Sequence, residues 1–298
     1  MPMSDTPRFA AGLKDLVAHY DLFLLDQYGV LHDGEAPYPG VPESLAYLRE
    51  SGKGICVLTN SGRSAAHNQR RLTRLGLEAG LFDRVVTSGD MALDYLVRER
   101  PGDLCYPLCS ARVAAGLPEA GLRLAESPEE ADLLLLNTLP LPPDEMTEEV
   151  MAPAFEVGLR HGLPLICSNP DMVGPQGARV VLSPGTVAGW YRAGGGQVRS
   201  FGKPDPAFLR YALSLFPDMA AARSIMIGDT PETDLAGARA AGIDAAFVTG
   251  GVHAEKFASL APDARRATAE SLLRAAETEA TWVIPGLAWE EASGKDPA

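Results

Sequence analysis

The chain is short of positive charge, of cysteine and of long apolar runs. Its 298 residues carry 26 Lys and Arg against 39 Asp and Glu, a formal charge of −13. No basic block interrupts that balance, which argues against a nucleic-acid surface and against docking on anionic membranes. No stretch reaches the roughly 18 uncharged apolar residues that suggest a membrane helix. Residues 1–8 lack the basic-then-apolar layout of a signal peptide. The four cysteines, Cys56, Cys105, Cys109 and Cys167, match no common zinc or redox spacing. They read as plain thiols, Cys56 and Cys167 within apolar runs. A reduced, cytoplasmic protein is expected.

What remains is an ordinary globular composition, 46% hydrophobic and 22% charged. The length suggests about two domains and a core that needs no staple. Short apolar runs alternate with helical patterns, the signature of an α/β protein with a parallel sheet. Strands are predicted over residues 22–25, 54–58 and 84–87, each followed by a helix. The pattern starts afresh near residue 101, with strand-like runs at 122–124, 133–136 and 163–166. A Rossmann-like core domain over 1–89 and 182–298, interrupted by an inserted α/β domain over 90–181, is therefore expected. The resumed core should contain a helix over 186–193 and strands over 198–201, 224–227 and 245–248, the last of the sheet.

Polar clusters stand just past the carboxyl ends of these strands, the edge where open α/β sheets bind ligands. They are Asp26-Gln27-Tyr28-Gly29-Val30, Thr59-Asn60-Ser61 and Gly228-Asp229-Thr230 with Asp234; Gly202-Lys203-Pro204 accompanies them. Hard carboxylate oxygens suit Mg²⁺ beside a phosphate. A lysine and a hydroxyl can neutralise and hydrogen-bond phosphoryl oxygens. A strand-end carboxylate can attack phosphorus and form an aspartyl-phosphate.

These clusters, in this order, resemble the haloacid dehalogenase superfamily of aspartate-nucleophile phosphatases. The place and size of the insertion, and Ser168-Asn169-Pro170-Asp171 within it, resemble the NagD-like class IIA, whose α/β cap lies between the second and third motifs. The resemblance implies that Asp26 is the nucleophile and a Mg²⁺ ligand, and that the Tyr28 carbonyl is another. It implies that Thr59 and Asn60 bind the phosphoryl group. Lys203 would stabilise Asp26 and the transferring charge. Asp229 would hold Mg²⁺, with Asp234 supporting it. Asn169 and Asp171 would face the substrate from the cap. The implied partner is a small phosphorylated metabolite, a sugar phosphate or nucleotide, and such caps often contribute to homodimers.

One position departs from that pattern. The family's first motif usually reads Asp-x-Asp, and its second Asp is the general acid and base. Here Tyr28 stands there, as in a class IIA branch with an aromatic residue at that place. General acid–base help is typically worth about 10²–10⁴-fold, and a phenol of pKa near 10 is a poor base at pH 7. His32, Asp33 or a cap residue could substitute. The leading expectation is a Mg²⁺-dependent phosphatase acting through Asp26. Its rival is a catalytically impaired protein that binds a phosphorylated ligand without turnover. Carbon–halogen hydrolysis, which needs no metal, fits less well with Asp229 and Asp234 present.

Overall fold

The computed structural model describes residues 6–176 and 179–290. In chain order its strands are β1 (Arg8–Phe9), β2 (Leu22–Leu25), β3 (Gly54–Thr59), β4 (Arg84–Thr87), β5 (Leu104–Pro107), β6 (Arg123–Leu124), β7 (Leu133–Leu136), β8 (Leu165–Cys167), β9 (Val173–Gln176), β10 (Arg179–Leu182), β11 (Val198–Ser200), β12 (Ser224–Gly228), β13 (Asp244–Val248) and β14 (Trp282–Ile284). The chain divides into two compact units. One comprises Met1–Thr59, Gln69–Val86 and Lys203–Ala298; the other comprises Asn60–Asn68 and Thr87–Gly202.

The first unit is built on a sheet ordered β1-β14-β13-β12-β2-β3-β4. Its central strands run parallel, with Leu25 opposite Ile227 on one side and Val57 on the other. Every residue of β2, β3 and β12 is buried, as expected of parallel strands covered on both faces. The core on one face gathers Phe23, Leu25, Ile55, Val57, Ile225 and Ile227 with Leu45 and Leu48 of the Val41–Glu50 helix. Because β2 lies between β12 and β3, three chain segments leave the sheet side by side at its carboxyl edge.

The second unit has its own parallel sheet, ordered β11-β8-β7-β5-β6. The unbroken Leu133–Leu136 run is explained by burial on both faces. Leu134 and Leu136 pack with Phe155 and Tyr191, whereas Leu133 and Leu135 pack with Ala92 and Leu96. The Glu148–His161 and Pro184–Ala193 helices cover the first face, and the Ser88–Glu99 helix covers the second. β9 and β10 form a separate antiparallel pair.

Two expectations need correction, and one pair of strands is new. The first unit resumes at Lys203 and not at residue 182, because β11 pairs with β8 and Val187, Ala188 and Tyr191 pack into the second core. Residues 245–248 are not the last strand. β14 pairs with β13 and with the two-residue β1, extending the sheet. The β9–β10 pair was not anticipated, since it buries too little apolar surface to show an alternating pattern; Val173 and Val180 stand exposed. Among the described residues, no helix is long and apolar enough to cross a membrane.

Candidate active site

Asp26 directly follows β2, and its N–H donates to the Ile227 carbonyl of the neighbouring strand at 2.9 Å. Asp229 directly follows β12. The register places Thr59, the last residue of β3, further along its strand than Asp26 is along β2. The polar positions that end these three adjacent strands therefore share one edge. Asp234 enters from the turn that begins at Pro231, and Lys203 from the segment before the Pro206–Ser214 helix.

Asp26, Asp229 and Asp234 are all buried, and one carboxylate oxygen of each lies within 4.8 Å of the others. One cation sits among them. Lys203 Nζ pairs with Asp26 Oδ1 and stands 2.6 Å from Asp234 Oδ1. Asp234 Oδ2 accepts the Thr230 N–H at 3.0 Å, so both its oxygens are engaged. It acts as an anchor for Lys203. Asp229 Oδ2 accepts the Val252 N–H at 2.7 Å, and Oδ1 accepts the Thr230 hydroxyl at 3.2 Å.

The electrostatics follow from three buried carboxylates sharing one ammonium. Burial pushes the Asp26 carboxyl well above its ordinary range, against the pull of Lys203. Burial, then repulsion from Asp234, raises Asp229 to about 7. Burial alone would pull Lys203 down, but Asp234 and Asp26 outweigh it and hold the ammonium charged. Such a cluster is short of positive charge. Its hard oxygen donors fit a divalent cation such as Mg²⁺, which takes one or two carboxylates and keeps several waters. Asp26 and Asp229 are the residues that would hold it.

Backbone geometry presses the first motif onto this cluster. Gly29 has φ +85°, and a Cβ there would lie 1.8 Å from Asp229 Oδ2. Only glycine lets the chain pass so close. Tyr28, by contrast, folds back over its own loop. Its hydroxyl lies 2.7 Å from where a Cβ on Gly34 (φ +104°) would stand, and its ring meets His32 edge-on at 5.2 Å. Burial, then the nearby Asp33, raises the Tyr28 phenol further.

Of the side chains considered as replacement bases, His32 is occupied through both ring nitrogens. His32 is fully buried, and its Nδ1 accepts the Gly34 N–H at 2.9 Å. Its proton therefore sits on Nε2, which faces the Gln27 side-chain amide at 3.1 Å; the amide must present its oxygen there. Burial, then Arg71, lowers His32 to about 4, so the ring is neutral at pH 7. Asp33 Oδ1 accepts the N–H groups of Glu35 and Ala36 in a local turn. The Gln27–His32 pair escaped the sequence reading, because neither residue is unusual alone and only the fold brings them together. Thr230 was named in its cluster, but its hydroxyl bond to Asp229 and that of the Val252 N–H were missed for the same reason.

Asn60, Asn169 and Asp171 lie in the second unit. Asn60 Nδ2 donates to Asp171 Oδ1 at 2.8 Å, and the Asp171 N–H donates to Asn169 Oδ1 at 3.0 Å. The three polar residues singled out there thus form one connected chain of hydrogen bonds.

A family model described as haloacid dehalogenase-like hydrolase matches residues 23–123, and a second, HAD-hydrolase-like, matches residues 200–284. An acid sugar phosphatase of Staphylococcus aureus is 26% identical over 235 residues, 78% of this chain and 88% of its own length. The crystal structure of a haloacid dehalogenase-like hydrolase from Brucella suis is 27% identical. It covers 93% of this chain and 99% of its own, with a TM-score of 0.78. A glycerol phosphate phosphatase from Mycobacterium tuberculosis, solved with calcium, is 27% identical over 80% of this chain and 68% of its own, at a TM-score of 0.65; it has also been solved with magnesium. The two matched segments carry Asp26, Thr59, Lys203 and Asp229, and the sheet order puts Asp26, Thr59 and Asp229 at one edge: the chain belongs to the haloacid dehalogenase-like hydrolases, in their NagD-like class IIA.

Proposed function

We propose that the protein is a Mg²⁺-dependent phosphatase that hydrolyses a small phosphomonoester, of the sugar phosphate or glycerol phosphate kind, through a phosphorylated Asp26. The observation that carries this reading is the buried group of Asp26, Asp229 and Asp234 around Lys203 at the carboxyl edge of the sheet. The names of the S. aureus and M. tuberculosis relatives supply the substrate class.

In this reading an Asp26 oxygen attacks phosphorus and the bond to the leaving oxygen breaks. Lys203 holds Asp26 in place and offsets charge on the phosphoryl oxygens. Thr59 supplies a hydrogen bond to the same group. Asp234 keeps Lys203 charged and oriented. A bound Mg²⁺, held by Asp26, Asp229 and the Tyr28 carbonyl, would supply the remaining positive charge for an anionic substrate in an acidic protein.

Phosphate release from a panel running from nitrophenyl phosphate through sugar phosphates to nucleotides, with Mg²⁺ and with EDTA, tests the reading. Metal-dependent release from at least one member is expected. Mg²⁺ binding without release from any of them would favour a second reading, a protein that binds a phosphorylated ligand without turnover. The turned-back Tyr28 is the observation behind that alternative.

A further inference from the structure

The first unit holds a cavity of about 190 Å³ that the site above does not use. Asp26, Lys203, Asp229 and Asp234 do not line it. Its apolar lining includes the buried side chains of Val30, Val248 and Leu287. Pro39, which is exposed, and Pro285, which is partly so, open it to the surface. The walls are tied together by backbone hydrogen bonds. The Thr249 N–H donates to the Ile284 carbonyl at 3.0 Å and the Gly250 N–H to the Pro285 carbonyl at 2.8 Å, joining the carboxyl ends of β13 and β14. The Tyr38 N–H donates to the Leu31 carbonyl at 3.1 Å, and the Tyr38 carbonyl accepts the Val41 N–H at 3.2 Å. A preformed apolar recess with few polar groups is the usual form of a small-molecule site. This one has room for a single ring, since an apolar cavity of about 150 Å³ holds benzene.

The lining also selects the charge of a ligand. Among the described residues, no charged side chain lines the cavity. A charged ligand would give up its hydration there without a partner. An anion would also face Asp229, whose carboxylate lies against Gly29 in the cavity wall. An uncharged ligand meets neither penalty. The lining offers one polar side chain, Tyr38, and no described residue hydrogen-bonds its hydroxyl. Burial, then the Asp229 carboxylate, pushes that phenol up to about 12, so it stays protonated and can donate or accept.

We propose that this cavity is a second ligand site, separate from the carboxylate cluster, for a small uncharged ring compound bearing one hydroxyl. The ring packs on Val30, Val248 and Leu287, and the hydroxyl bonds to that of Tyr38. A ligand there also packs on the backbone of Gly29, the residue that closes on Asp229.

Titration of phenol into the wild-type protein, observed by NMR of ¹³C-labelled leucine and valine methyls, tests this. Saturable shifts of the Val30, Val248 and Leu287 methyls are expected, with a Kd of about 1 mM or below. Tyr38→Phe removes only the hydroxyl. It should weaken phenol about 2–10-fold while leaving the affinity for toluene within about twofold of wild type. Phenylphosphonate with Mg²⁺, its binding followed by its own ³¹P signal, should leave those methyls and the phenol affinity unchanged. No saturation of these methyls at about 10 mM phenol would overturn the inference, as would equal weakening of phenol and toluene by Tyr38→Phe. Displacement of phenol by bound phenylphosphonate would make the cavity the leaving-group end of the active site and overturn a separate site. Each of these results leaves the phosphatase reading standing, since that reading is tested by phosphate release.

Discussion

Magnesium should stabilise this protein much more at pH 8 than at pH 5.5. The reason is the crowding of Asp26, Asp229 and Asp234 around a single lysine. Without metal, burial and Asp234 raise Asp229 to about 7, against about 3.9 for an unfolded aspartate. A carboxyl raised on folding contributes stability that is present below the unfolded value and lost as pH rises through the folded one. Asp26 is shifted in the same direction. His32 works oppositely, since burial lowers it to about 4. It contributes equally with and without metal, so the difference between Mg²⁺ and EDTA isolates the cluster. A metal must displace the proton that Asp229 holds at low pH. One proton with a folded pKa near 7 weakens apparent affinity about 30-fold at pH 5.5, which is about 2 kcal/mol. At Mg²⁺ near 100 times its dissociation constant at pH 8, binding is worth about 2.7 kcal/mol. At pH 5.5 less than about 1 kcal/mol should remain. In differential scanning calorimetry the gap corresponds to about 4 °C in the transition that Mg²⁺ moves. An equal Mg²⁺ shift at both pH values, or none at pH 8, would refute the reasoning.

Other expectations follow from the same geometry. Lys203→Met leaves Asp26 and Asp234 buried without their cation and should cost about 3–5 kcal/mol, more at pH 8 than at pH 5.5, as read by urea unfolding in EDTA. Gly29→Ala puts a Cβ on the Asp229 carboxylate and forces φ +85° on a residue that avoids it; Mg²⁺ affinity should fall at least about tenfold in calorimetric titration, beyond the roughly 1–3 kcal/mol of backbone strain. Leu134→Ala in the doubly covered second sheet should cost about 2–5 kcal/mol by cavity formation, and a loss below about 1 kcal/mol would argue against the burial described for β7.

Much of this was legible in the sequence because burial and chemistry coincide at strand ends. Leu22–Leu25 and Gly54–Thr59 are apolar because both sheet faces are covered. Each such run must stop where a polar group begins, so Asp26 and Thr59 mark the edge twice over. The outer strands carry no such signal. β1 has two residues and β14 three, and their places depend on pairing with β13 and with each other. Boundaries were blurred where helix and strand patterns continue across them. Thr186 to Ser200 reads equally well as part of either sheet, and only the β11–β8 pairing assigns it. At the site, residue types predicted which carboxylates gather. They could not reveal that His32 is locked between Gly34 and Gln27, or that Tyr28 turns toward Gly34, since both depend on glycine torsions within one loop.

The role of Asp26 is best tested by replacing it with Asn, an isosteric change that keeps Lys203 paired with Asp234. The variant should fold, and in EDTA at pH 8 it should be at least as stable as wild type, because one of three crowded carboxylates is gone. Its Mg²⁺-dependent phosphate release should fall below about one-thousandth of the wild-type rate, and no phosphoryl group should attach to the chain. An Asp26→Asn protein that turns over substrate at the wild-type rate would contradict the assignment of Asp26 as the nucleophile.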